Sequence, residues 1–134
     1  MSLIVIDSSA VVAILLDEPE RAVFLEAMAG GRAIMSVLNV YETEVVIRCR
    51  SGQSSVSAVR ALLVANEVEL VAFDDARSIA ADAAYSRFGK GVHKARLNLC
   101  DCAAYALARS LNAPLLYKGD DFARTDILSA VTAG

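Results

Sequence analysis

LIVIDSSAVVAILL (residues 3–16) sets four apolar residues against an aspartate and two serines, then runs through seven more apolar residues. A run that is apolar at every position and only four residues long reads as a strand buried on both faces. Ser8 or Ser9 can cap the helix that follows, to about Leu16. A doubly buried strand feeding straight into a helix belongs to a parallel sheet, whose crossover helices cover both faces.

The same grammar recurs along the chain. AIM (33–35), ELVAF (69–73) and LLY (115–117) read as further buried strands, with ILSAV (127–131) as a candidate fifth. Ser36 opens a helix through Arg48, Ser54 or Ser55 one to about Ala65, Asp74 one ended by Gly89, and Asn98 caps the alanine-rich run after it. The order β, α, β, α, α, β, α, α, β gives an α/β fold with a mainly parallel sheet of four to five strands. No repeat or linker interrupts it, so residues 1–134 are expected to form one domain.

A chain of 134 residues buries roughly two-thirds of its unfolded surface around one core. Its 56% hydrophobic content exceeds the ~45–50% of soluble domains and predicts an oligomer. The longest apolar runs, 10–16 and 102–108, fall well short of the ~18–20 residues that span a bilayer. The N-terminus has no basic segment before its apolar stretch, so no signal peptide is expected and a cytoplasmic location is. Cys49, Cys100 and Cys102, with a single histidine, suit reduced thiols better than disulfides or a zinc cage. Cys100 and Cys102 also point ~200° apart on a helix and cannot clamp one metal.

Ligands of open parallel sheets gather beyond the carboxyl ends of the strands, and acids cluster there. Asp7 ends the first strand, although a plain helix cap also explains it. Glu42 projects ~20° from Cys49 and ~40° from Leu38 and Val46, at the edge of an apolar helix stripe. It has no basic residue three or four positions away, whereas Glu44 lies four before Arg48 and reads as an ordinary ion pair. Asp101 falls three residues after Asn98 in a capping-box pattern, and the helix dipole there favours its ionised form. Asp120 and Asp121 leave the last strand in a turn opened by Gly119. Carboxylates from separate elements repel at one edge unless a divalent cation joins them, and oxygen-only ligands favour Mg2+ or Mn2+ over zinc. That chemistry suits phosphodiester hydrolysis.

The net charge of −3 is a poor footprint for nucleic acid, so any such role needs local basicity. Arg87, Lys90, His93, Lys94 and Arg96 precede LNLCD, and Lys118 and Arg124 flank the last acidic turn. This basic segment reads as a mobile loop, able to hold phosphates or simply solvated. Tyr41, Tyr85 and Tyr105 fall within apolar patterns and are expected in the core, leaving no evident aromatic for stacking on bases.

At these residues the sequence resembles the PIN-domain ribonucleases, specifically VapC-type toxins of toxin–antitoxin modules, over essentially its whole length. The carrying segments are VIDSSA (5–10), SVLNVYET (36–43), GKGVHKARLNLCDCAAYALA (89–108) and LLYKGDDFARTDI (115–127). The resemblance implies a three-layer α/β/α fold and a Mg2+-dependent endoribonuclease, with Mn2+ as the alternative ion. It implies neutralisation by a cognate VapB-type antitoxin and, commonly, a homodimer. Asp7 and Asp101 would be direct metal ligands, Glu42 would orient a water or share the metal, and Asp120 or Asp121 would supply the fourth acid. Lys90, Lys94, Arg96 and Lys118 would contact RNA. One departure is Cys100, where many members have glycine; a side chain there would crowd the pocket or make it oxidant-sensitive.

Two other readings remain. Asp74 and Asp75 after ELVAF, with Lys118 after LLY, fit a phosphoreceiver-type switch. A catalytically impaired PIN fold that only binds RNA or protein is the second.

Overall fold

A computed structural model of the chain describes residues 2–131. Strands β1 (Leu3–Ile6), β2 (Arg32–Ser36), β3 (Glu69–Val71) and β4 (Leu115–Leu116) form one parallel sheet in the order β3-β2-β1-β4. Helices α1 (Ser8–Leu15), α2 (Arg21–Ala29), α3 (Val37–Ser51), α4 (Ser57–Ala65), α5 (Asp75–Phe88) and α6 (Leu99–Ser110) connect them.

Alternation along the strands divides the core in two. Val5, Ile34 and Leu115 face α5 and α6, packing with Phe88, Tyr105 and Leu107. Ile4, Ile6, Met35 and Leu116 face the other way, against Ile14, Phe24, Val40, Ile47 and Leu63 of α1 to α4. The interior of β1, β4 and the centre of β2 are thereby removed from water, which is why LIVI, AIM and LL are apolar at every position. The expected buried strand over 69–73 departs from this: β3 stops at Val71 and, at the sheet edge, leaves Glu69 and Leu70 exposed. The three-layer α/β/α arrangement expected from the sequence is the one found.

Several details differ. Two helices, not one, link β1 to β2. The first ends where Asp17 turns left-handed with φ 53°, and the second starts after Glu20, which makes no side-chain capping bond and so leaves no cap signal in the sequence. Asp7, rather than Ser8 or Ser9, caps α1, accepting the Ser9 backbone N–H. The expected start of α4 at Ser54 or Ser55 is a short 3-10 turn (Gln53–Ser55), with the α-helix beginning at Ser57. The candidate fifth strand is a single bridge between Leu115 and Ser129. There the Ser129 hydroxyl bonds Val131 in a local turn that competes with strand pairing. Glu44 pairs with Arg60 of α4 at 3.2 Å, while Arg48 donates to Gln53, because α4 packs beside α3 and presents the closer cation.

The segment 89–97 is an ordered loop rather than a mobile one. Its ends pair through Gly89 and Leu97, Lys90 N–H donates to the Leu97 carbonyl, and His93 and Val92 N–H both reach the Gly89 carbonyl. The close approach needs glycine at 89, where a Cβ would fall 2.5 Å from the Tyr85 carbonyl oxygen.

Candidate active site

All of the implicated acids sit at the carboxyl edge of the sheet. Asp7 leaves the tip of β1, one of the two inner strands, and is only 2% exposed. Its Oδ2 accepts the Ser9 N–H at 3.0 Å and the Ser9 hydroxyl at 2.6 Å, while its buried Oδ1 has no partner among the described residues. The Ser9 hydroxyl also accepts the Lys118 backbone N–H at 3.0 Å, tying this corner to the end of β4.

Glu42 stands half-buried on α3 with no ion-pair partner among the described residues. It accepts hydrogen bonds from the Ser8 hydroxyl and, at 3.5 Å, from the Asn39 amide. Asn39 is wholly buried and donates to the Cys100 backbone carbonyl at 3.0 Å, joining α3 to the first turn of α6.

Asp101 forms the complete capping box with Asn98: its carboxylate accepts the Asn98 N–H at 3.0 Å and its own N–H donates to the Asn98 side chain at 2.8 Å. Capping and membership of the acid cluster coexist in this residue, and the same is true of Asp7.

The electrostatics register the crowding. Burial pushes the Asp7 carboxyl up to about 7 against the lowering effect of the Ser9 bonds, and the charges of Asp101 and Glu42 push it the same way. Burial likewise raises Asp101 to about 6, opposed by the Asn98 bond and reinforced by Glu42 and Asp121. Asp121, in the turn after β4, thus acts on Asp101 although exposed; it also lies 3.8 Å from Arg124. Asp120 is exposed and makes no ion pair among the described residues.

Four oxygen-bearing side chains pressing on one another, one with an orphaned buried oxygen, fit a hard cation. Among the described residues no three His, Cys, Asp or Glu side chains already stand close enough to hold an ion directly. The donor set therefore suits an ion that keeps several waters, as Mg2+ does.

Cys100 lies beside these acids. Burial, then the neighbouring carboxylates led by Glu42, push its thiol up to about 12. Burial and the neighbouring carboxylates thus disfavour its thiolate, the form that reacts with oxidants. Cys102 points into the core instead.

The structure separates the basic residues. Lys90, Lys94 and Arg96 are exposed on the 89–97 loop with no carboxylate within ion-pair distance among the described residues. Together with His93 they line a concave surface. Lys118 is committed elsewhere: its ammonium lies 3.2 Å from Glu18 and 3.3 Å from Glu20, in the connection between α1 and α2. Arg87 pairs with Asp126 at 3.5 Å. The phosphoreceiver reading fails on topology, since Asp74 follows β3 and Lys118 follows β4 at opposite edges of the sheet, about 14 Å apart by strand spacing. Asp74 is an N-cap that accepts the Arg77 N–H.

Sequence reasoning missed Ser8, Ser9 and Asn39 as supports of the acids. The usable signal was polar residues on otherwise apolar faces: two serines directly after a buried strand, and an asparagine one helical turn before Glu42. Tyr41 was expected in the core and is 63% exposed, on the outer face of α3.

A family model described as "PIN domain" matches residues 4–128. A "Ribonuclease VapC" of Mycolicibacterium smegmatis is 44% identical over 124 residues, covering 92% of this chain and 96% of that one. "Ribonuclease VapC30" of Mycobacterium tuberculosis is 43% identical over 124 residues, covering 92% and 95%. Among solved structures, Mycobacterium tuberculosis VapC20, described as a sarcin-ricin loop cleaving toxin, superposes with a TM-score of 0.76 at 16% identity, covering 93% of this chain and 96% of that one. VapBC2 of Rickettsia felis, bound to a fragment of its promoter DNA, gives 0.71 at 15% identity, covering 95% and 96%. With its three-layer fold, its acids at one sheet edge and relatives of this identity along nearly its full length, the chain belongs to the PIN-domain family, among the VapC ribonucleases.

Proposed function

We propose that the chain is a Mg2+-dependent endoribonuclease toxin that hydrolyses internal RNA phosphodiester bonds, with Asp7 and Asp101 holding the ion and Mn2+ able to replace it. The observation that carries this reading is the buried, unpartnered Oδ1 of Asp7, in a cluster where the charges of Asp101 and Glu42 raise its carboxyl further. When bound, such an ion supplies charge neutralisation at the scissile phosphate and lowers the pKa of a water.

The remaining work falls to the chain's own groups. Asp7 and Asp101 bind and orient, fixed by Ser9 and Asn98. Glu42, held by Ser8 and Asn39, positions a water for in-line attack or accepts its proton. The charges of Asp101 and Glu42 act on Asp7, so the base is a property of the cluster. Asp121 is the fourth acid because its charge reaches Asp101, with Asp120 beside it in the same turn. Lys90, Lys94 and Arg96 take the RNA backbone; Lys118 joins them only by leaving Glu18 and Glu20.

The relatives' naming as VapC, and a VapBC complex of the same fold, support a VapB-type antitoxin as partner. An apolar stripe of Val37, Tyr41 and Val45, exposed at successive turns of α3, supports a homodimer. We place the activity in one domain over 1–134 and in the cytoplasm; no helix of the described residues is long and apolar enough to cross a membrane. The test is cleavage mapping on total RNA by the purified chain, with Mg2+ and then with EDTA. Discrete cuts that vanish with EDTA and with Asp7→Asn support the proposal; RNA binding without cuts would indicate a PIN fold kept only for binding.

A further inference from the structure

Between α5 and the first turns of α3 and α6 lies a second cavity, of about 320 Å³, within the size range of ligand pockets. Phe73, Leu38 and Leu99 form apolar walls, and α5 contributes Ser78, Asp82 and Tyr85. It opens at the same carboxyl edge as the acids. Leu38 lies four residues before Glu42 on one face of α3, so the cavity wall is about one helical turn from that carboxylate.

Two features set it apart from a simple gap in packing. Ser78 and Asp82 are four residues apart on α5 and therefore neighbours on one face; both are exposed to solvent and neither side chain bonds to any group among the described residues, which leaves both open to a ligand. On the far side, the Tyr85 hydroxyl donates to the Lys90 carbonyl at 2.8 Å, joining the cavity wall to the basic loop. An aromatic-walled cavity flanked by a phosphate-hydrolysing centre on one side and unpaired cations on the other lies on the path of a nucleotide chain. An apolar protein surface seated there would instead bury the Asp82 carboxylate without a partner.

We propose that this cavity receives one of the two bases flanking the scissile phosphate and selects guanine, an inference that rests on the ribonuclease reading for the position of that phosphate. A carboxylate only accepts hydrogen bonds. Guanine alone presents two adjacent donors, N1–H and N2–H, to Asp82, while its O6 accepts from the Ser78 hydroxyl. Adenine and cytosine place a ring acceptor beside their single amino group, and uracil flanks its one N–H with two carbonyls, so each sets an acceptor against the carboxylate. Phe73 and Tyr85 supply aromatic surface for the base, a contact that tolerates any base and leaves discrimination to the polar pair.

The test has two arms. In the first, the Asp7→Asn chain is titrated with labelled RNA hexamers that differ at one position; the guanine-containing hexamer binds about tenfold tighter, the scale of one charged hydrogen bond, and adding Asp82→Asn removes the difference. In the second, the Mg2+-supplied chain cuts a random-sequence RNA pool; guanine is enriched at one position beside the cut, and the enrichment collapses in Asp82→Asn and weakens in Ser78→Ala, with thermal melts verifying that both fold. A cleaving enzyme whose base profile is the same with Asp82→Asn overturns the pocket and leaves the nuclease standing. Guanine-selective binding without any cleavage does the reverse. Dissociation of a dimer by Leu99→Asp with the base profile untouched assigns the cavity to a second copy of the chain and overturns the proposal.

Discussion

The side-chain amide of Asn39 donates to the backbone carbonyl of Cys100 over 3.0 Å, so the helix that carries Glu42 and the helix turn that carries Asp101 are fastened together at their shared end. Asn39 is fully buried, and its other polar atom, Oδ1, has no partner among the described residues. Asn39→Ala removes the fastening and leaves the Cys100 carbonyl unsatisfied, at a cost of about 1–3 kcal/mol. Chemical denaturation measures that loss. Cleavage by Asn39→Ala falls below wild type under conditions where the protein remains folded, and an unchanged rate would remove Asn39 from the support of the site.

Asp7 makes metal-free stability depend on pH in a definite direction. Its carboxyl is raised from the ordinary 3.8 to about 7, so between those values the folded state holds a proton that the unfolded chain has released. The unfolded state then binds fewer protons, and stability falls as pH rises. The contribution is complete below about pH 4 and gone above about pH 7, on the order of a few kcal/mol. In EDTA the melting temperature is therefore expected to drop from pH 5.5 to pH 8, and Asp7→Asn to flatten that dependence. A wild-type slope retained in Asp7→Asn would assign the effect to other groups.

Asp101→Asn separates repulsion from capping. The capping box contributes about 1 kcal/mol, but Asn at this position still accepts the Asn98 N–H and relieves the repulsion from Glu42 and Asp121 that raises the native carboxyl. Metal-free Asp101→Asn at pH 8 is predicted to melt no lower than wild type. A clear drop would mean that the acid serves its helix more than it strains the cluster.

The 89–97 loop offers Lys90, Lys94 and Arg96 without ion-pair partners among the described residues, and each phosphate contact on single-stranded RNA adds about 0.7 to the slope of log affinity against log salt. Replacing Lys90 or Lys94 with Ala lowers that slope by about one contact each. Arg96 sits at φ 56°, so Arg96→Gly is the apt variant: it removes the charge and relaxes the backbone. A salt slope unaffected by all three would place RNA elsewhere.

Much of this arrangement was legible in the chain because the inner strands β1 and β2 are buried on both sides. Doubly apolar runs such as LIVI and the caps at Ser36, Asp74 and Asn98 are local signals, and each acid's position relative to a strand or helix end follows from them. What stayed hidden depended on tertiary choices. The second helix of the first crossover begins without a side-chain cap, so nothing marks Glu20 as a start. Glu44 prefers Arg60 over Arg48 because another helix brings the closer cation, and Lys118 is taken by two glutamates about a hundred residues earlier. Tyr41 lies in an apolar pattern whose outer members face solvent, since α3 carries exposed apolar residues as well as core ones. The supports of the site, Ser8, Ser9 and Asn39, each act across elements, and spacing along the chain does not reveal that.

The most direct measurement is Mn2+ binding followed by electron paramagnetic resonance on the purified chain and on Asp7→Asn and Asp101→Asn. Wild type is predicted to bind Mn2+ at a site that Mg2+ competes for, and each single variant to weaken that binding at least tenfold, because both carboxylates are proposed to hold one ion. Wild-type affinity in both folded variants would contradict the account.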